Sequence, residues 1–347
     1  MRMKSLHLLG LIAVAAATIH SQPTNGAVYW SPVTSPPDCS SLAGESPVAI
    51  TNSLGKTIGY SCYVSGTFVW LAAGGGWSSS MRVGAPASAA IGVDYTFYDA
   101  SGNNLKLDTT SGGGSSATSG NDVNFVLSAN QPAEIGLLGA TTDAPKYGRT
   151  ATGSVYAVFY CPDAITCANV LPQLLYSALP ATPWAMSVPI SWDTELWTEW
   201  SAEGIDDGGA RRVSLVIYNE DTTATSFTVR VYDSTGALAG TGTTPSIPPL
   251  QPLSIGSLGE GGTYGALLSD VIATRLPAGV FKVLVDGGSK YSAVEVLQFN
   301  GQSATALQVA YDSAPGSSSS AASVERMNIR SARVASTLKQ VISGMEK

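Results

Sequence analysis

The chain is 347 residues long, carries a formal net charge of −7 and has 37 glycines, 12% charged residues and two histidines. That length holds two domains with ordinary cores, and a Gly-rich, charge-poor composition suits short strands joined by turns better than helices. His7 and His20 both lie at or before a predicted cleavage region, so the processed chain keeps no histidine or one near its start. Ser-His-Asp and Cys-His catalysis, histidine zinc sites and H-E-x-x-H proteolysis are thereby excluded.

In chain order, Arg2 and Lys4 precede the apolar run from Leu8 to Ala17, with small residues after it. Residues 1–21 are therefore predicted to be a signal peptide cleaved after Ala17 or Ser21, with an uncleaved anchor as the other reading. No later stretch is long and apolar enough to span a membrane, so a secreted, extracellular or cell-surface protein is expected, the periplasm included. Removing Arg2 and Lys4 takes the net charge from −7 to −9, and setting aside the +3 carried from Val324 onward leaves about −12 on the body. Nucleic acid, which needs clustered Lys and Arg, is not an expected partner.

A first β-domain is predicted over residues 28–192. Val48–Thr51 and Thr57–Val64 read as a hairpin about N-S-L-G, with Thr67–Leu71 as a separate strand. Ser53-Leu54-Gly55-Lys56 matches S-x-x-K, but the helix start and partner motifs that this catalytic signature needs are missing. Gly74-Gly75-Gly76 reads as a flexible turn before Trp77, which either lids the core or displays an aromatic for binding. Ile91, Val93, Tyr95 and Phe97 alternate with Gly92, Asp94, Thr96 and Tyr98, a half-buried strand pattern. Ser111–Asn121 is a Gly/Ser-rich solvated tip; Val123, Phe125 and Leu127 alternate after it. Val155–Tyr160 follows as a buried-type strand, then Val170–Tyr176 and Met186–Ile190.

The four cysteines suit an oxidising compartment. Nearness in sequence pairs Cys161 with Cys167 across a hairpin tip and leaves Cys39 for Cys62, one of three connectivities.

A second β-domain is predicted over residues 193–312, because the sequence repeats. Gln131–Gly139 (QPAEIGLLG) and Gln251–Gly259 (QPLSIGSLG) share six of nine positions at a spacing of 120. The run from Asp94 to Asp99 is echoed from Thr228 to Asp233, and I-S-W-D at 190–193 by V-A-Y-D at 309–312. Val213, Leu215 and Ile217 and then Phe227, Val229 and Val231 alternate as strands; Ala266–Ala273 is predicted to hold a short helix. Val280–Val285 and Ala293–Phe299 read as a hairpin across D-G-G-S. The fold class expected is all-β: two tandem immunoglobulin-like β-sandwiches.

G-G-G-W-S-S-S from Gly74, Y-T-F-Y-D-A-S-G-N from Tyr95, the Q-P-x-x-I-G turns and V-L-Q-F-N-G from Val296 together resemble tandem β-sandwich units of secreted bacterial proteins without an assigned function. The resemblance covers about Thr67–Asp312 and departs where Arg211 takes the position of Trp77. It implies an extracytoplasmic location and immunoglobulin-like domains, and it carries over no catalytic residue.

Between the repeats, Trp192, Trp197 and Trp200 interleave with Asp193, Glu195, Glu199, Glu203, Asp206 and Asp207. Such a stretch can stack sugars on aromatic faces while carboxylates accept hydroxyls, or hold Ca²⁺, or seal an interdomain contact with a wet acidic rim. The candidate ligand-binding residues are Trp192, Trp197, Trp200, Glu199, Asp206 and Asp207. No other cofactor is expected.

Residues 313–323 read as a flexible linker, and 324–347 switch to helical period, with Met327, Val334, Leu338, Val341 and Met345 on one stripe. This basic tail folds back on the sandwiches, frays in solvent, or docks on a partner or an anionic envelope surface. The function expected is non-catalytic binding, adhesion or extracellular assembly, with an extracellular protein or glycan as partner and self-assembly open. The alternative is a carbohydrate-binding or glycan-active protein, a histidine-independent glycoside hydrolase included.

Overall fold

The computed structural model describes residues 33–42, 47–51, 56–111, 118–142, 147–178, 184–193, 197–207, 211–256, 266–300, 303–307 and 310–311. The predicted signal peptide, linker and helical tail lie outside these. The described residues are mostly strand, in antiparallel sheets packed sandwich-like.

Residues 48–192 supply β1 (Val48–Thr51), β2 (Thr57–Ala73), β3 (Trp77–Gly84), β4 (Ile91–Asp99), β5 (Leu107–Ser111), β6 (Thr118–Gly120), β7 (Asp122–Leu127), β8 (Pro132–Ala140), β9 (Ala151–Cys161), α1 (Ala164–Ala168), β10 (Gln173–Ala178), β11 (Trp184–Pro189) and β12 (Ser191–Trp192). One sheet runs β1-β2-β9-β4-β7 with β12 also on β2, the other β11-β10-β3-β8-β5-β6. Their inner faces share one core: Phe68, Val93, Tyr95, Phe97 and Phe159 from the first meet Met81, Ile135, Leu137 and Leu174 from the second.

Residues 199–311 supply β13 (Glu199–Asp206), β14 (Arg211–Asn219), β15 (Thr228–Tyr232), β16 (Leu238–Thr243), β17 (Pro252–Gly256), β18 (Ala266–Leu267), α2 (Leu268–Val271), β19 (Gly279–Asp286), β20 (Ser292–Asn300), β21 (Ser303–Leu307) and β22 (Ala310–Tyr311). These form sheets β16-β15-β19-β13-β22 and β18-β17-β14-β20-β21, around a core that includes Leu215, Ile217, Phe227, Val229 and Phe281.

The strand orders correspond. β2-β9-β4-β7 is matched by β13-β19-β15-β16, and β10-β3-β8 by β20-β14-β17. The registers agree as well: Ser191 lies opposite Thr67, and Ala310 opposite Ser201. Both Gln-Pro motifs enter their strands alike. Gln131 O accepts from Ala85 N at 2.9 Å and Gln251 O from Asn219 N at 3.0 Å. The preceding residues, Asn130 and Leu250, both sit in the left-handed region, at φ 61° and 56°.

Several predicted boundaries are corrected. Thr57–Ala73 is one strand, not two, because Gly66 marks no turn. A Cβ there would stand 2.5 Å from Ser191 O, so its bareness lets β12 pair with β2. Further along, Val69 and Trp70 occupy a bulge where the register with β9 shifts. Bulges re-aim side chains, and Val69 packs into the second core. The residues joining Cys161 to Cys167 form helix α1 and not a hairpin tip. β19 and β20 are not a hairpin either, since D-G-G-S carries the chain from one sheet to the other. The glycine run at 74–76 is a packed turn: Gly75 N donates to Tyr147 O at 2.8 Å, and a Cβ on Gly75 would meet Thr150 Oγ1 at 2.2 Å.

β14 is buried on both faces. Val213, Leu215 and Ile217 alternate with Ser214, Val216 and Tyr218, and all six are at most 4% exposed. A strand covered on both sides reads as a continuous apolar run. The first half lies against its second face: Val69 and Trp70 pack in the second core, while Leu297 and Phe299 pack in the first. Gln251 Nε2 also donates to Ser101 O at 2.6 Å.

Candidate functional site

The acidic and aromatic residues between the repeats are distributed and not gathered. Trp192 sits on β12, half-buried, its ring edge-on to Phe159 at 6.0 Å. Trp197 is half-buried and packs on the second core; its carbonyl accepts from Ser292 N at 3.0 Å. Trp200 is 6% exposed and its Nε1 donates to Ser292 O at 2.8 Å. Asp193 is held on β2 and β9: its Oδ2 accepts from Ser65 Oγ at 2.7 Å and Tyr156 OH at 2.9 Å.

Glu199 and Asp206 open and close β13, opposite Asp286 and Gly279 respectively. Seven residues of strand separate them by roughly 23 Å. Two carboxyls cleaving a glycosidic bond stand about 5–9.5 Å apart, so this pair cannot share one scissile bond. Asp207 is engaged by Arg211, whose Nε reaches Oδ2 at 2.9 Å. Among the described residues no group of three or more His, Cys, Asp or Glu side chains gathers to hold a metal ion.

The end of β9 presents a different surface. Cys62 and Cys161 are cross-strand neighbours, and each is disulfide-bonded outward, to Cys39 and Cys167 respectively. The Cys161–Cys167 bond closes a short loop onto the end of β9. Asp163 caps α1: its Oδ1 accepts from Thr166 N at 2.7 Å and its Oδ2 from Thr166 Oγ1 at 3.1 Å. An acceptor at this position satisfies an otherwise orphaned helical N–H. Asn169 Nδ2 donates to Ile165 O at 2.8 Å, and Val170 is buried beneath. From this braced tip Ile165 and Leu171 project, 75% and 76% exposed, the two most exposed large apolar side chains among the described residues. Sequence reasoning located the cysteines but passed over both. The available signal was an aliphatic residue enclosed by paired cysteines, in a run bounded by Pro162 and Pro172.

Among the described residues, Asp94 and Glu295 are buried with neither carboxyl oxygen hydrogen-bonded. Burial pushes Asp94 up to about 8, with the nearby charge of Asp122 adding to the effect. Burial alone raises Glu295 to about 8. Asp108 is the contrasting case, fully buried but accepting from Ser119 Oγ, Thr141 Oγ1 and Tyr147 OH. Trp77 closes over the first core, edge-on to Tyr176 at 6.1 Å.

No family model matches the sequence, and no curated protein matches it.

Proposed function

We propose that the chain is a secreted, non-catalytic binding protein of two tandem immunoglobulin-like β-sandwiches. In this reading it grips an extracellular protein partner through the tip that carries Ile165 and Leu171. The observation that carries this is the pairing of high exposure with bracing: Ile165 faces solvent inside a loop closed by a disulfide and a helix cap, and Leu171 faces solvent four residues past that loop's second cysteine. An apolar contact held ready in one geometry loses little conformational freedom on binding, which favours recognition over loose stickiness. The disulfides support an oxidising, extracytoplasmic address. The repeated strand order supports tandem domains. The immunoglobulin-like reading is supported by the pairing of β3 with β8 in one sheet and of β4 with β9 in the other, pairings of the kind an immunoglobulin domain makes between strands B and E and between C and F. The departure is at the edge: β2, the first long strand, lies beside β9, where an immunoglobulin domain places its last strand.

The test is co-sedimentation of purified protein with washed cells of the producing organism, alongside a panel of polysaccharides. Ile165→Asp with Leu171→Asp is expected to leave the melting temperature within a degree or so, since both side chains are already solvated, and to weaken cell binding about tenfold or more. Unchanged binding would remove the tip from the function. Binding to a polysaccharide that survives the tip variants would move it to the tryptophan-rich junction.

A further inference from the structure

Among the described residues each of the four sheets is drawn from one half alone, so no strand of the first half is laddered to a strand of the second. The halves meet through side chains. Val69 and Trp70, from the bulge of β2, pack in the second core, and Leu297 and Phe299, from β20, pack in the first. Glu295 stands amid them. It lies opposite Val216, and cross-strand neighbours share a face; Leu297, two residues on, shares it too. The Glu295 side chain is therefore turned toward the first half, where the residue is 5% exposed and neither carboxyl oxygen is hydrogen-bonded.

The groups around it do not relieve its burial. β10 brings Tyr176, whose ionisation is opposed first by burial and then by the Glu295 charge, and whose hydroxyl donates to Trp70 O. β14 and the residue after it bring Arg212, Tyr218 and Glu220 to the same side. The two charged ones each stand four residues from Val216, about 13 Å along the strand. β2 contributes Val69 and Trp70, and β11, β17 and β21 contain no titratable residue. Burial alone holds the Glu295 carboxyl up to about 8. Once ionised, a carboxyl so enclosed destabilises its surroundings until water reaches it. β20 is laddered to β14 on one side and β21 on the other, so lifting it would break backbone hydrogen bonds. Parting the halves disturbs side-chain packing and no ladder, which makes it the less costly route to hydration.

We propose that the contact between the halves is a proton-operated clasp, closed while the Glu295 carboxyl is neutral and opened when it ionises, with each sandwich staying folded. A hydrated glutamate titrates near 4.3, so the closed arrangement holds the proton more tightly and is favoured most in acid. As pH rises from about 4.3 to about 8, the ratio of closed to open falls by up to tenfold per pH unit.

Small-angle X-ray scattering and far-UV circular dichroism of the full chain at pH 6 and pH 9 test this. The radius of gyration should rise by roughly 3 Å or more at the higher pH, the scale set by two domains whose own radii are about 15 Å, while the strand signal stays constant. Glu295→Gln is expected to keep the smaller radius at both pH values. Asp94→Asn, which removes the other carboxyl that burial pushes up to about 8, should open as the unaltered protein does. The clasp is overturned by an unchanged radius in the unaltered protein, by an increase that persists in Glu295→Gln, or by one that Asp94→Asn abolishes. An increase accompanied by loss of the strand signal would mean unfolding and would overturn it equally. Should Glu295→Gln fail to fold, Glu295→Met, of similar length and without charge, takes its place in the same comparison.

Discussion

At the scale of single residues, buried carboxyls differ by what meets them. Asp193 and Asp108 are taken up by hydroxyl donors and act as structural pins. Glu295 has no such donor. It lies at the contact between the halves, near Tyr176, whose ionisation is opposed first by burial and then by the Glu295 charge, and whose hydroxyl is already committed to Trp70 O. Burial holds its carboxyl at about 8, whereas in an unfolded chain it titrates near 4.3. Between those pH values the folded protein keeps a proton that the unfolded chain has lost. Stability therefore falls as pH rises through this window, by up to about 1.4 kcal/mol per pH unit, and levels off above it. Glu295→Gln should raise the melting temperature, and the gain should be larger at pH 8 than at pH 5. Thermal unfolding at a series of pH values reads this directly; parallel profiles for the two proteins would acquit Glu295.

At the scale of elements, Gly66 shows how one position decides whether two strands meet. Gly66→Ala sets a methyl against the backbone oxygen of Ser191, and neither backbone can yield without parting β12 from β2. A loss of about 1–3 kcal/mol, in the range of overpacked sites, is expected in denaturant titration, with amide exchange at Ser191 and Trp192 accelerated. Slow exchange there in the variant would show that the strands tolerate the methyl. The same glycine marks what the sequence could and could not reveal. Alternation over Ile91–Phe97 disclosed a strand facing the core, since period two is written in neighbouring residues. The repeated Gln-Pro motifs disclosed equivalent strand entries. Thr57–Val64 and Thr67–Leu71 were expected as separate strands with Gly66 in the gap between them, and a glycine bare for a neighbour's sake looks locally like one bare for a turn. D-G-G-S was misread for a related reason: a tight turn and a passage between sheets use the same residues, and only distant pairing of β19 with β13 and β15 separates them. In the candidate site the cysteines were legible by spacing. The exposure of Ile165 and Leu171 was not, because exposure is set by which elements fail to come near.

At the scale of the whole molecule, the contact between the halves is the feature that determines how it unfolds. Val69 is displaced from its own sandwich by the bulge in β2 and seated in the second core, 5% exposed, while Leu297 and Phe299 reach the other way. Side chains exchanged in both directions make the sandwiches share buried area, and shared area couples their unfolding. Without it, two sandwiches of different core composition would melt at different temperatures. Val69→Ala removes two methyl groups from the second core and should cost about 2 kcal/mol. Val69→Asp goes further, since it places a carboxylate in that apolar core, and the bulge then favours turning away from the second half. Calorimetry of the unaltered protein should give one transition, whose van't Hoff and calorimetric enthalpies agree. Val69→Asp should split it in two, with the component from residues 199–311 at the lower temperature, because β14 loses the cover on its second face. A single sharp transition retained in Val69→Asp would mean that the halves are coupled elsewhere, with the Gln251–Ser101 contact the next to remove.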